Sequence, residues 1–233
     1  MLVLAIDTAL ATGGVALASG GQVLASRILE PGRTHSVTLL PAVAELLAEA
    51  GAAVEDLQGL AVTRGPGYFT GLRIGLATAL GLALARDIRV AAFSSLKLLA
   101  AGAPPSAGSL WALADARRGL LYAGQFAPGP DEPRLLGREA AITPERLAPR
   151  LQAPALLVGD GARLHREALS APGLELAPPQ YDRIDPGRLA VMGAARLVGG
   201  GGLEAGRLRA SYLRPSDAEV RFGLPLDEYN LVS

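Results

Sequence analysis

The chain has 233 residues, of which 50% are hydrophobic and 19% are charged, so it can bury a substantial core in one or two domains. Its 22 basic and 22 acidic residues balance, which does not demand a nucleic-acid partner but leaves room for a local basic patch. The absence of cysteine excludes disulfides, thiolate zinc sites and cysteine nucleophiles. It also fits a reducing cytoplasm, the location we expect, and the first apolar run lacks the basic start of a signal peptide.

The first hundred residues predict three strands followed by alternating helices and strands. An apolar run meets Asp7, a turn of small residues follows, and two further apolar runs flank a hairpin turn at Gly20-Gly21. The later pattern predicts a helix over about 36–50, a strand over 60–63, a buried helix over 71–85, a strand over 89–93 and a helix after Ser94-Ser95.

The same order returns after a linker predicted at 102–108. A second apolar run meets Asp115, so Asp7 and Asp115 are expected at equivalent turns. The pattern then predicts strands over 119–126 and 134–139 around a turn at 128–133, a helix from Thr143, a strand over 155–158, and helices over 162–169 and 186–198.

Both halves therefore have the order β-β-β-α-β-α-β-α. Three meandering strands followed by parallel crossovers predict an α/β fold in which each half is a mixed five-stranded sheet with helices on both faces. We place the N-terminal half at 1–102 and a smaller or degenerate C-terminal half at 103–233. Chance similarity between two unrelated α/β halves remains open at this point.

The most informative segment runs from Gly65 to Gly75. It predicts a rigid turn that starts a helix, with Thr70 as the capping residue. From Gly71 to Ala85 almost every residue is apolar or small on all faces, which is typical of a helix with its own sheet on one side and another partner on the other. Fifteen such residues are too few to span a bilayer. Small residues recur every four positions and would let another helix approach closely: Gly71, Gly75, Ala79 and Ala83.

With these segments in view, the chain resembles the TsaB (YeaZ) family along nearly its whole length. The matching segments are Ile6-Asp7-Thr8, His35-Ser36, Gly65 to Gly75, Ser94-Ser95-Leu96, Asp115-Ala116-Arg117, Gly159-Asp160-Gly161-Ala162 and Tyr212-Leu213-Arg214. The family usually has serine where this chain has Tyr68. The resemblance implies a duplicated fold of the actin, Hsp70 and sugar-kinase superfamily, in agreement with the repeated order of elements.

The resemblance also implies a role in making threonylcarbamoyladenosine at position 37 of tRNA. It implies a non-catalytic subunit that binds and activates a TsaD-type catalytic subunit, works with a TsaE-type ATPase, reaches tRNA through the complex and forms a homodimer in isolation. No membrane is expected. The shared surface would lie on the two N-terminal-domain helices, and the residues we assign to it are His35, Leu39, Val43, Tyr68, Phe69, Leu72, Gly75, Leu76, Ala79 and Ala83.

Candidate small-molecule sites are weaker. We expect no metal site, because the chain has only His35 and His165 and neither has a second histidine one helical turn away. Half of an actin-type nucleotide cleft is expected at Asp7, Thr8, Thr12 and Gly13. No cofactor is required, and weak binding of ATP or ADP with magnesium is left open. The alternative is that Asp7 only closes its own turn through backbone hydrogen bonds.

The second half is less suited to nucleotide. Arg117 and Arg118 follow Asp115 at once; they fit phosphate, but they could instead fill the cleft or pair with Asp115. Asp160 adds a negative charge where superfamily members hold adenosine. A loose arginine cluster could form a basic rim for tRNA: Arg207, Arg209, Arg214 and Arg221.

Two enzymatic functions remain as alternatives to the assembly subunit. The first is a small-molecule kinase or ATPase of the actin-like superfamily that uses Asp7 and Asp115. The second is a glycoprotease-like hydrolase, which the missing histidine pair opposes. We identify no catalytic residue.

Overall fold

We analysed a computed structural model, which describes residues 1–29, 35–106, 108–129 and 132–214. Its first half follows the predicted order of elements. They are β1 (Leu2–Asp7), β2 (Gly13–Ser19), β3 (Gln22–Leu29), α1 (His35–Glu49), β4 (Gly59–Gly65), α2 (Phe69–Arg86), β5 (Val90–Ser94) and α3 (Ser95–Gly102).

These strands form one mixed sheet in the order β3-β2-β1-β4-β5. The strands β1, β2 and β3 pair antiparallel as a meander, and β4 and β5 add in parallel through helical crossovers. Gly20 and Gly21 both have positive φ, of 58° and 80°, which is the backbone that a tight hairpin turn between β2 and β3 requires. The sequence order thus produces a meander with two parallel additions.

The second half repeats this topology. Its elements are β6 (Ser109–Asp115), β7 (Leu121–Ala127), β8 (Arg134–Ile142), α4 (Pro144–Leu147), β9 (Ala155–Val158), α5 (Asp160–Leu164), β10 (Leu174–Leu176) and α6 (Pro186–Val198). The sheet order is β8-β7-β6-β9-β10, which is the order of the first sheet element for element. The predicted duplicated α/β fold, with a mixed five-stranded sheet in each half, is confirmed.

The last helix departs from the predicted domain division. The described residues form two compact units, one within 1–98 and 184–211 and the other within 99–183 and 212–214. The helix α6 therefore belongs to the first unit, although we placed it in the second half. Its glycine at Gly193 explains the placement, because a Cβ there would lie 2.3 Å from the Cβ of Ala61 on β4. Only glycine lets the helix approach the first sheet so closely.

Helices cover both faces of the first sheet. Alternate residues of a strand point to opposite faces, and Leu4 and Ile6 share a core with residues of α1 and α2. On the opposite face lies α6, because a Cβ at Gly193 of this helix would lie 3.7 Å from the Val3 side chain and a Cβ at Gly59 of β4 would lie 2.4 Å from Leu197 of the helix. The core of the second unit is built on one face of its sheet from Trp111, Leu113, Leu121, Ile142, Leu147, Leu157, Ala162 and Leu169.

Two predicted helices of the second half, α4 and α5, can be compared with the structure. Thr143 caps α4 as predicted, since its Oγ1 accepts a hydrogen bond of 3.4 Å from the Arg146 N–H. The helix predicted over 162–169 is shorter and begins earlier, at Asp160. The predicted linker at 102–108 and turn at 128–133 lie partly outside the described residues, and Arg221 lies wholly outside them.

Candidate functional site: the Asp7 turn and the outer face of two helices

The glycines of the 65–75 segment press α2 against the turn that follows β1. A Cβ at Gly67 would lie 2.2 Å from the carbonyl oxygen of Ala9, and one at Gly71 would lie 2.1 Å from that of Thr8. A Cβ at Gly75 would lie 2.3 Å from the Thr8 Oγ1. Side chains cannot occupy such distances, so the four-residue spacing of glycine serves close packing of this helix on its own sheet.

The start of α2 is held by backbone bonds rather than by the predicted cap. The N-cap residue is Tyr68, its side chain makes no capping bond, and the exposed Thr70 lies two residues too late to act as a cap. The Tyr68 N–H donates to the Ala9 carbonyl at 2.7 Å, and the Thr8 hydroxyl donates to the Gly71 carbonyl at 2.7 Å. These two bonds fix the start of α2 on the turn that follows Asp7.

Asp7 is fully buried at the end of β1. Its Oδ1 accepts hydrogen bonds from the Ala9 N–H at 3.0 Å and from the Thr63 hydroxyl at 2.7 Å, whereas its Oδ2 has no partner among the described residues. Burial raises the pKa of Asp7 to about 6, although both hydrogen bonds lower it. The bond to Ala9 is the one expected if Asp7 closes its own turn.

The four predicted nucleotide residues lie together around this turn, but little of them is accessible. Thr8 is buried and its hydroxyl is engaged by α2, Gly13 is buried, and Thr12 is half-buried. A Cβ at Gly13 would lie 2.8 Å from the Asp7 carbonyl oxygen and 3.0 Å from Cε1 of His35. The ring of His35 thus occupies the space beside Gly13, and its buried Nδ1 has no partner among the described residues.

The equivalent turn of the second unit is also closed by its own chain. The Arg117 N–H donates to Asp115 Oδ1 at 2.7 Å, the same two-residue step as from Asp7 to Ala9, and the Arg117 Nε lies 3.6 Å from Asp115 Oδ2. The Asp115 N–H donates to Asp160 Oδ1 at 3.0 Å. Burial raises the pKa of Asp160, and the nearby carboxylates of Asp115 and Asp182 raise it further. Of the alternatives left open, pairing of Arg117 with Asp115 is the one observed.

The two halves have an equivalent glycine at the end of the strand that pairs parallel with the first strand of the half, β4 with β1 and β9 with β6. Gly65 is the last residue of β4 and Gly159 directly follows β9, and the two have nearly the same positive φ, of 110° and 107°. A Cβ at Gly159 would lie 2.3 Å from the Leu113 carbonyl oxygen on β6. Among the described residues, no group of three His, Asp or Glu side chains is placed to hold a metal ion.

The predicted partner residues require a correction. Six of the ten are buried in the protein's own core and cannot meet another chain in this structure: Leu39, Val43, Leu72, Gly75, Ala79 and Ala83. The reason is the close packing described above, because the small-residue face of α2 lies on its own sheet. The other four are half-buried: His35, Tyr68, Phe69 and Leu76.

The opposite faces of α1 and α2 are apolar and exposed. Val37 and Leu40 on α1 are 67% and 58% exposed, and Leu80 and Leu84 on α2 are 36% and 66% exposed. Smaller exposed residues continue the surface: Pro41, Ala44, Ala77 and Gly81. The two helices pack side by side, with His35 of α1 against Gly71 of α2. We call these eight residues the outer face of α1 and α2.

The sequence contained a signal for this face that we did not use. Leu84 follows Gly75 by nine residues, which at about 100° per residue places it on the opposite side of the helix. Once the glycines are taken as the contact with the sheet, Leu80 and Leu84 must point outward. Exposed contiguous apolar surface of this kind marks interaction sites.

Charged groups border the outer face. Arg27 of β3 forms ion pairs with both Glu45 and Glu49 of α1, so these two carboxylates, which lie one turn apart, share one cation. The guanidinium of Arg73 lies 3.7 Å from the ring centroid of Phe69, one turn earlier on α2. An apolar centre with a charged border is the usual anatomy of a protein interface.

The length and composition of α2 would also allow it to cross a membrane. It has 18 residues, three more than predicted. Its small-residue face is packed on Thr8, directly after β1, at distances that exclude side chains, as shown by Gly71 and Gly75. In this structure the helix is therefore part of the layer that covers the first sheet.

Comparison with known proteins identifies the family. A family model described as TsaD, tRNA N6-adenosine threonylcarbamoyltransferase, matches residues 22–177. The tRNA threonylcarbamoyladenosine biosynthesis protein TsaB of Bacillus subtilis is 33% identical over 95% of this chain and 98% of its own. TsaB of Escherichia coli is 39% identical over 65% of this chain and 67% of its own. The structure of YeaZ from Pseudomonas aeruginosa matches with a TM-score of 0.79 and 33% identity, over 91% of this chain and 99% of that one. The chain therefore belongs to the TsaB (YeaZ) family of tRNA threonylcarbamoyladenosine biosynthesis proteins.

Proposed function

We propose that this protein is a non-catalytic subunit of the machinery that makes threonylcarbamoyladenosine in tRNA, and that it binds and activates a TsaD-type catalytic subunit. A TsaE-type ATPase joins them, and the protein reaches tRNA through the complex in the cytoplasm. In isolation it pairs with itself through the same surface. The observation that carries the proposal is the outer face of α1 and α2.

Burial of this face supplies the driving force. Fully burying an exposed leucine or valine side chain contributes roughly 1.5–3 kcal/mol. Four large side chains therefore offer several kcal/mol before the costs of association are subtracted. Four of the ten exposed large hydrophobic side chains in the described part of the chain lie on these two neighbouring helices. Exposed apolar side chains that are concentrated in this way are better explained by a protein partner than by the single exposed leucines found on any protein surface.

The carboxylates that an enzyme of this fold would use are engaged by their own backbone. Asp7 binds the Ala9 N–H and Asp115 binds the Arg117 N–H. Thr8 is committed to α2. These contacts support binding rather than bond-making as the function of the chain. They also support our proposal that no nucleotide is required.

Mixing the protein with a TsaD-type subunit tests the proposal. Light scattering should show a dimer for the protein alone and a heterodimer mass after mixing. Leu84→Asp should abolish both species, since it replaces one of the four large apolar side chains of the outer face by a charge. Val198→Asp is the matched control, because Val198 on α6 is 73% exposed but lies on the opposite side of the sheet. An unchanged mass on mixing, or equal effects of both variants, would contradict the proposal.

A further inference from the structure

A strip of arginines runs along the other side of α2. The chain after α6 returns along the first unit, where Leu203 pairs antiparallel with Val90 on β5 through two bonds, of 2.8 and 2.9 Å. Further along, this return segment lies beside β4, where the Ser211 N–H donates to the Arg64 carbonyl at 2.7 Å. We call Arg64, Arg207 and Arg209, which lie on or beside this return segment, the arginine strip.

The helix α2 lies between this segment and α1. On one side, a Cβ at Gly71 would lie 3.6 Å from the ring of His35 on α1. On the other side, a Cβ at Gly65 would touch both Leu72 of α2 and the carbonyl oxygen of Ser211. The short 3-10 turn Ala205–Arg207 also packs against α2. The arginine strip is therefore adjacent to the outer face but separate from it.

The side chains of the strip are exposed, and few groups of the protein pair with their positive charges. All three arginines are exposed. Among the described residues, the guanidinium groups of Arg64 and Arg207 have no hydrogen-bond or ion-pair partner. The Arg209 Nη1 donates to the carbonyls of Gly206 and Leu208, which holds the guanidinium against the segment and leaves its other donors available. Glu204, the acid nearest in sequence, lies 3.7 Å from Arg89 instead.

This arrangement matches phosphate chemistry. A guanidinium presents several donors in a plane and binds phosphate oxygens well. The whole chain has no net charge, so a local cluster that has no carboxylate partner among the described residues is a specific feature and does not reflect a basic protein. Aromatic residues make up only 4% of the chain, which disfavours recognition by base stacking. The strip suits a phosphate backbone rather than particular bases.

The geometry points to a contact between the arginine strip and the phosphate backbone of the tRNA that the catalytic partner holds. The inference rests on the proposed function, because it needs a partner on the outer face to bring RNA next to α2. The contact is electrostatic and independent of base sequence. It positions the tRNA on the assembled complex and takes no part in chemistry.

The test measures tRNA binding to the assembled complex at several salt concentrations. Each phosphate contact contributes about 0.7–0.9 to the slope of log affinity against log salt. The triple variant Arg64→Gln, Arg207→Gln, Arg209→Gln should therefore reduce this slope by about 2 to 3. The matched control removes three exposed arginines of the second unit, Arg134, Arg138 and Arg166, and should leave the slope unchanged.

Light scattering of the same samples separates this inference from the proposed function. If the strip variant still forms the heterodimer and its salt slope falls, the inference holds. If the heterodimer forms but the slope equals that of the wild type, the inference is overturned while the proposed function stands. An equal fall in the control variant would show a general charge effect and would overturn it too. Loss of a protein partner with an unchanged tRNA slope would assign the strip to an acidic protein surface instead of RNA.

Discussion

The buried carboxylate of Asp7 should make the protein less stable as the pH rises. Its pKa is about 6 in the folded protein, against an ordinary value of 3.8, because burial disfavours the charged form. Below about pH 4 the group is protonated in both folded and unfolded chains and costs nothing. Above pH 6 it is ionised in both, and the folded state bears the penalty. Stability is therefore lost between about pH 4 and pH 6.

The shift of about two pKa units corresponds to roughly 3 kcal/mol, at about 1.4 kcal/mol for each unit. Asp7→Asn should remove this dependence. The amide oxygen can still accept from Ala9 and Thr63, and the amide nitrogen replaces the unpartnered Oδ2. The variant should be the more stable protein at pH 7.5, and its advantage over the wild type should shrink by roughly 3 kcal/mol at pH 4.

Urea unfolding followed by circular dichroism from pH 4 to pH 8 measures the difference between the two proteins. Asp87→Asn controls for the loss of one carboxylate, since Asp87 is exposed at the end of α2 and asparagine tolerates its left-handed backbone, with φ of 49°. If the difference between Asp7→Asn and wild type is independent of pH, the argument from burial is wrong. A difference that grows toward acid would reverse its sign and equally refute it.

Two further substitutions test the packing. Gly71→Ala would place a methyl group 2.1 Å from the Thr8 carbonyl oxygen, so it should lower the free energy of unfolding, measured by thermal unfolding, by about 3 kcal/mol or more. Gly81→Ala, which is open to solvent on the same helix, should raise it by about 0.5–1 kcal/mol. Equal effects of the two substitutions would disprove the close approach of α2 to Thr8. Arg27→Gln breaks two ion pairs whose acids are more than half exposed, so it should lower the free energy of unfolding by less than about 1 kcal/mol; a larger loss would show that this network supports the fold.

The duplication can be predicted from the sequence because it depends on local sequence patterns. The repeated order of strands and helices, and the equivalent acids Asp7 and Asp115, follow from apolar runs and turn residues that act within a few positions. Each sheet contains the five strands expected for it. The path of α6 is different in kind, because its return to the first unit depends on contacts such as Gly193 with Ala61, more than a hundred residues apart.

The face of α2 that lies exposed was misassigned for a physical reason. A helix that is apolar all round shows no amphipathic stripe, so hydropathy cannot say which side lies on the sheet. We took the small residues as the site of approach of a second molecule, but Gly71 and Gly75 receive the protein's own Asp7 turn. Leu80 and Leu84 are left outside. The burial of Asp7 is likewise invisible in sequence, where an acid after a strand fits a solvated site equally well.

Site-specific photocrosslinking tests the outer face most directly. A photoreactive side chain placed at Leu84 should crosslink to the TsaD-type subunit on mixing, while the same group at Val198 should not. A crosslink from position 198 with none from 84 would contradict the assignment of the partner to the outer face of α1 and α2.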